Sequence, residues 1–127
     1  MKHILTTVAA IAITSSMASA GGHANYTIGV SNTVQGNGWR EQMVCVMRCQ
    51  AAVEGDIGKR IVSHRNTDSA GQLEELNNLI AAGVDAIVLN PANPDALSSA
   101  LDAGIAQGII IVAVDAGVSA KGAYVLS

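Results

Sequence analysis

Two apolar runs in this chain end abruptly in polar side chains. Ile87-Val88-Leu89 gives way to Asn90-Pro91, and Ile109 to Val114 gives way to Asp115-Ala116-Gly117. Two further apolar stretches stop at Ser31-Asn32 and at His64-Arg65-Asn66, and a turn-rich segment between them carries Asn37, Trp39 and Arg40. Together these supply amides, a carboxylate, a guanidinium and one aromatic face. The set suits a neutral polyol: Asn and Asp exchange hydrogen bonds with vicinal hydroxyls, and an indole covers the apolar face of a sugar ring. Each residue also has a plainer use. Asn90 before Pro91 makes a turn, Asp115 caps a short segment, Trp39 packs at a helix start, and His64 is a surface or packing histidine.

The remaining motifs exclude more than they offer. Gly36-Asn37-Gly38 is no dinucleotide fingerprint, because Glu41 and Gln42 follow where small residues are needed. There is no Walker loop, nucleophile elbow or HExxH. His3, His23 and His64 are isolated from one another. No catalytic group, metal ligand set or cofactor is therefore expected. Cys45 and Cys49 fall at i and i+4 of a predicted helix, with β-carbons about 5–6 Å apart. A disulfide needs roughly 3.5–4.5 Å, so the two are read as small core residues.

The polar ends need elements to hold them. Tyr26–Ser31 reads as a first strand, and a helix follows from Trp39 to Val53, with Met43, Val46 and Met47 on one face. Lys59–Ser63 is a second strand. Ser69 with Gln72 fits a capping box, with Asp68 as rival cap, and Leu73, Leu76 and Ile80 continue a helix to Gly83. After a strand at 85–89, Asn93 caps a third helix with Pro94 in its first position. Leu97, Ala100, Leu101, Gly104 and Ile105 form its stripe, and Gly108 ends it. Strands at 109–114 and 123–126 complete the order β-α-β-α-β-α-β-(β). Continuous apolar strands imply burial on both faces, hence a parallel sheet between helices. The expected fold is α/β: a doubly wound, Rossmann-like three-layer arrangement, with every polar strand end on its carboxyl edge.

The first twenty residues read as a targeting segment. Lys2 and His3 precede the apolar run Ile4–Ile13, and Ala18-Ser19-Ala20 offers a small-x-small cleavage site. The run is too short to span a bilayer, and no Cys follows the cleavage site, so no stable membrane insertion is expected. The predicted division is a signal peptide at 1–20 and one domain at 21–127, exported to the periplasm after cleavage near Ala20. Loss of residues 1–20 leaves six Lys and Arg against ten Asp and Glu, a net charge of −4. Nucleic acid is excluded as a partner, since binding it needs a basic patch. The aromatic residues are only Tyr26, Trp39 and Tyr124, so the core is aliphatic. The chain stops directly after a strand, which predicts an incomplete domain.

In order and spacing, Tyr26–Ser31, Gly38-Trp39-Arg40, Asn66-Thr67-Asp68, Ala81–Pro91 and Ile109–Gly117 resemble the N-terminal lobe of type I periplasmic sugar-binding proteins. These are the ribose- and galactofuranose-type receptors of ABC importers, and the resemblance covers residues 26–127. It implies a non-catalytic receptor in which two hinged lobes close over a monosaccharide and present it to a permease. It also implies ligand contacts at Asn37, Trp39, Arg40, Asn90 and Asp115. Ala116 stands where ribose-type members often carry Arg, so the ligand need not be ribose. The second lobe and most of the hinge have no counterpart in these residues. Two other classes are weighed: a ligand-binding domain of lactose-repressor type or a sugar chemoreceptor, and an exported Rossmann-like oxidoreductase. The targeting segment and the lack of an N-terminal helix-turn-helix argue against the repressor. Retention of a flavin or nicotinamide through purification would mark the oxidoreductase.

Overall fold

A computed structural model describes residues 25–127. The targeting segment expected at 1–20 lies outside the described residues. Four strands alternate with three helices and a fifth strand follows: β1 (Tyr26–Asn32), α1 (Gly38–Val53), β2 (Ile57–His64), α2 (Ser69–Ala81), β3 (Ala86–Asn90), α3 (Ser98–Ala106), β4 (Ile110–Val114) and β5 (Tyr124–Leu126). The sheet order is β2-β1-β3-β4-β5 and every pairing is parallel. With α1 on one face and α2 and α3 on the other, this is the three-layer α/β fold anticipated.

Each boundary has a local cause. Asn37 caps α1, its side-chain oxygen accepting from the backbone N–H of Trp39 and Arg40. Asp68 caps α2 by accepting from Gly71 N, so the rival cap holds the position and the Ser69–Gln72 box does not form. Gln72 is drawn into the interior instead. Asn93 does accept from Asp95 N and Ala96 N, yet what it caps is a turn. The helix proper begins one turn later, at Ser98. Gly83 and Gly108 end α2 and α3 with φ of 67° and 85°, a conformation costly for residues with a β-carbon.

The core lies between the sheet and α2/α3. Leu76, Ile87, Leu89, Leu97, Leu101 and Ile111 are completely buried there, as the stripe in α3 predicted. The opposite face is covered by α1 alone, which packs against β1 and β2. Beyond it, Val88, Val112, Val114 and Leu126 form the floor of an apolar groove of about 510 Å³, walled by Met43, Val46 and Met47. The continuous apolar strands had implied burial on both faces. On the α1 side that holds only for β1, and Ile110 remains 53% exposed.

The cysteines correct the sequence reading further. Cys45 and Cys49 are free and exposed, on the outer face of α1 and not in the core. The face of α1 that meets the sheet carries Val44 and Ala51, and Cys45 and Cys49 lie off it.

Candidate ligand site at the carboxyl edge of the sheet

Parallel strands align the polar ends in a row. His64, Asn32 and Asn90 are direct register partners across β2, β1 and β3. Asp115 follows the last residue of β4 and extends the row. Every side chain on a strand alternates in face, so Asn32 shares the α1 side with Val30 and Ile28. Ser31 lies on the α2 side.

On the α1 side, Asn90 is fully buried and its Nδ2 reaches Asp115 Oδ2 at 3.4 Å. Its Oδ1 is the one buried side-chain polar atom among the described residues without a hydrogen-bond partner. An unpaired buried acceptor is costly and needs an explanation, such as an absent donor. Asp115 is the one described non-glycine residue with positive φ, at 72°. Strained conformations of this kind cluster at ligand sites, where the surroundings hold them in place. Here a backbone bond from Asp115 N to Leu126 O, 2.8 Å, supplies the hold.

The first turn of α1 faces the same edge. Arg40 donates from Nη1 to Asn32 Oδ1 at 3.0 Å, and its guanidinium lies 5.9 Å from the Trp39 ring centre. Burial lowers the Arg40 pKa and the Asp115 carboxylate raises it in opposition, so the two charges sense one another across the edge. The guanidinium remains charged under all ordinary conditions. Trp39 is 47% exposed and also borders the apolar groove. It is thus no core residue.

Of the five residues singled out in the sequence, Arg40, Asn90 and Asp115 converge, and Trp39 stands beside Arg40. Asn37 is at the same edge, but its side-chain oxygen is occupied as the α1 cap. The groove is apolar and lies beside the polar edge. Hydrogen-bonding chemistry belongs to the edge.

A second set of side chains, not anticipated, lies on the α2 side. Gln72 is fully buried: its Nε2 donates to Asn90 O at 2.9 Å and to Ser31 Oγ at 3.2 Å. Its Oε1 accepts from Ala92 N at 2.7 Å. Glu75 accepts from Ser31 Oγ at 2.9 Å and from Arg65 Nε at 2.6 Å. These residues fix the turn that carries Asn90. A signal for them did exist, since Gln72 and Glu75 sit at i−4 and i−1 to Leu76 within the buried stripe of α2. Polar residues on such a stripe need interior partners.

Residues 28–127 match the family model described as periplasmic binding protein domain, and the chain belongs to that family. The ribose import binding protein of Bacillus subtilis (strain 168) is 29% identical over 101 residues, which are 76% of this chain and 31% of that protein. Among solved structures, an ABC transporter solute-binding protein from Thermobispora bispora is 30% identical with a TM-score of 0.71, covering 80% of this chain and 33% of that one. A solute-binding protein from Mycobacterium smegmatis, with bound glycerol, is 28% identical with a TM-score of 0.69, covering 79% and 34%. The chain therefore spans about a third of the length of the relatives it matches. Among the described residues, no helix is long and apolar enough to cross a membrane, and no group of three or more His, Cys, Asp or Glu could hold a metal ion.

Proposed function

We propose that this chain is the N-terminal lobe of the substrate-binding component of an ABC-type sugar importer. It holds a monosaccharide non-catalytically at the carboxyl edge of its sheet. Residues 1–20 direct export and are removed near Ala20, and a permease receives the sugar from the complete receptor. The observation that carries this reading is the unpaired, buried Asn90 Oδ1 beside Asp115. A sugar hydroxyl donates to the amide oxygen while a neighbouring hydroxyl donates to the carboxylate. Arg40 donates to a ring or hydroxyl oxygen, and Trp39 covers the C–H face of the ring. The similarity to a ribose import binding protein supports the ligand class.

The test is a ¹H–¹⁵N NMR titration of the chain with D-ribose, D-galactose and D-glucose. Each sugar is added to roughly 50 mM, far enough to reveal millimolar affinity. Shifts at Trp39 (backbone and indole), Arg40, Asn90 and Asp115 with at least one sugar are expected. No shifts with any sugar, or shifts confined to the apolar groove, would overturn the assignment.

A further inference from the structure

The amide of Asn32 connects Arg40 to His64. It is fully buried at the end of β1. Its Oδ1 accepts from Arg40 Nη1 at 3.0 Å, while its Nδ2 lies 3.0 Å from Val34 O and 2.6 Å from His64 Nδ1. On the far side of the ring, His64 Nε2 meets Glu41 Oε1 at 2.9 Å. Glu41 Oε1 also accepts from Gly36 N at 2.8 Å.

Donor and acceptor identities leave one arrangement. Arginine offers only donors, so the Asn32 oxygen must face Arg40 and its NH₂ must face Val34 O and His64. His64 Nδ1 must then be the bare, accepting nitrogen. The Glu41 carboxylate only accepts, so the ring proton sits on Nε2. A proton added at Nδ1 would point at the Asn32 NH₂, donor against donor. Flipping the amide would relieve that clash, but would turn the NH₂ toward the guanidinium of Arg40.

We propose that Asn32 and His64 are positioning residues that set the direction of the Arg40 guanidinium, with neutral His64 required for the binding geometry. The inference rests on the reading that Arg40 touches the ligand. The charged groups around the relay are Glu41 at the ring itself, Arg40 beyond Asn32, and Arg48, whose charge acts on Glu41. On β2's other flank, Arg65 is turned away to Glu75 of α2.

Two measurements separate this proposal from the function it builds on. The first needs no ligand: ¹⁵N spectra report the His64 tautomer and the Arg40 Nε–H signal from pH about 8 to about 5, the range in which histidines change charge. The expected result at the upper end is an Nε2–H ring with a single, sharp Arg40 signal. That signal should broaden or move in step with protonation of His64. His64→Gln, which supplies an acceptor and a donor but does not titrate, should keep the sharp signal across the whole range. His64→Leu should lose it at every pH. An Nδ1–H tautomer, or an Arg40 signal indifferent to His64 protonation, overturns the proposal even if sugar binds.

The second measurement is affinity, by the same NMR titration, for whichever of D-ribose, D-galactose and D-glucose binds the parent. His64→Leu should weaken it about tenfold, while His64→Gln stays within about twofold of the parent and loses the pH dependence. Equal affinity in the Leu variant and the parent overturns the positioning role. If His64→Leu does not fold, the parent pH series and His64→Gln still decide. If no sugar binds the parent, the function is wrong and the Arg40 spectra judge the relay on their own.

Discussion

Replacing Gln72 with methionine tests whether the buried amide holds the Asn90 turn. Methionine has nearly the same length and volume, so no cavity opens, and only the polar contacts are lost. Three hydrogen bonds disappear: to Asn90 O, to Ser31 Oγ and from Ala92 N. Ser31 keeps its bond to Glu75 and suffers least. Asn90 O and Ala92 N lose these partners, and a stranded buried group costs about 1–3 kcal/mol. Ala92 is exposed enough for water to reach its N–H, and the thioether gains some apolar burial. The net expectation for Gln72→Met is a loss of about 2–4 kcal/mol. Urea unfolding followed by circular dichroism is the assay. With a slope of about 1–2 kcal/mol/M for a domain of this size, the midpoint should fall by about 1–4 M. Leu101→Ala is the comparison, losing about 2–5 kcal/mol through a cavity in the core while leaving the polar edge intact. A Gln72→Met protein as stable as the parent would refute the reasoning, because it would mean that the buried amide contributes nothing a hydrophobic residue cannot.

Asp115→Gly should relieve the left-handed backbone and raise stability by up to about 1 kcal/mol, measured by thermal unfolding. The same variant should weaken sugar binding by roughly ten- to a hundredfold, since charge-assisted hydrogen bonds are worth about 1.5–3 kcal/mol. The bond from Gly36 N, and secondly that from His64, hold the Glu41 carboxyl below its ordinary pKa. Its contribution is therefore complete above pH about 4.3 and is lost as pH falls through the lower folded-state value. Melting temperature against pH should show that acid slope, and Glu41→Gln should flatten it. Both cysteines should react with iodoacetamide in the native protein, followed by mass spectrometry. Cys49 should be the slower, because hydrogen bonding with Cys45 raises its pKa and leaves less thiolate.

Much of this was legible in the sequence, for identifiable reasons. A polar residue closing an apolar run must sit at a strand end, and parallel crossovers then put all such ends on one edge. That logic located Asn90 and Asp115 without any knowledge of partners. Helix stops at Gly83 and Gly108 were equally local. The failures share a different character. The reading of Cys45 and Cys49 as core rested on residue type, which does not say which face of α1 meets the sheet. The choice between Asp68 and Ser69 as cap turned on the interior demand for Gln72 by groups 18 and 41 residues away. The relay through Asn32 joins β1 to His64, 32 residues on, and no local pattern encodes it.

The central place of β1 has a consequence for how the chain becomes ordered. Its two neighbours are β2, reached through α1, and β3, reached only after α2 as well. The pairing of Asn32 with Asn90 closes a loop of 58 residues, so the entropy of closure falls early and its reward arrives late. Among the described residues no pair of strands can form as a hairpin, because every ladder is parallel. Folding should therefore be slow for a domain of this length, as topologies rich in distant contacts are. During synthesis β1 can complete its pairing only once residue 90 has emerged.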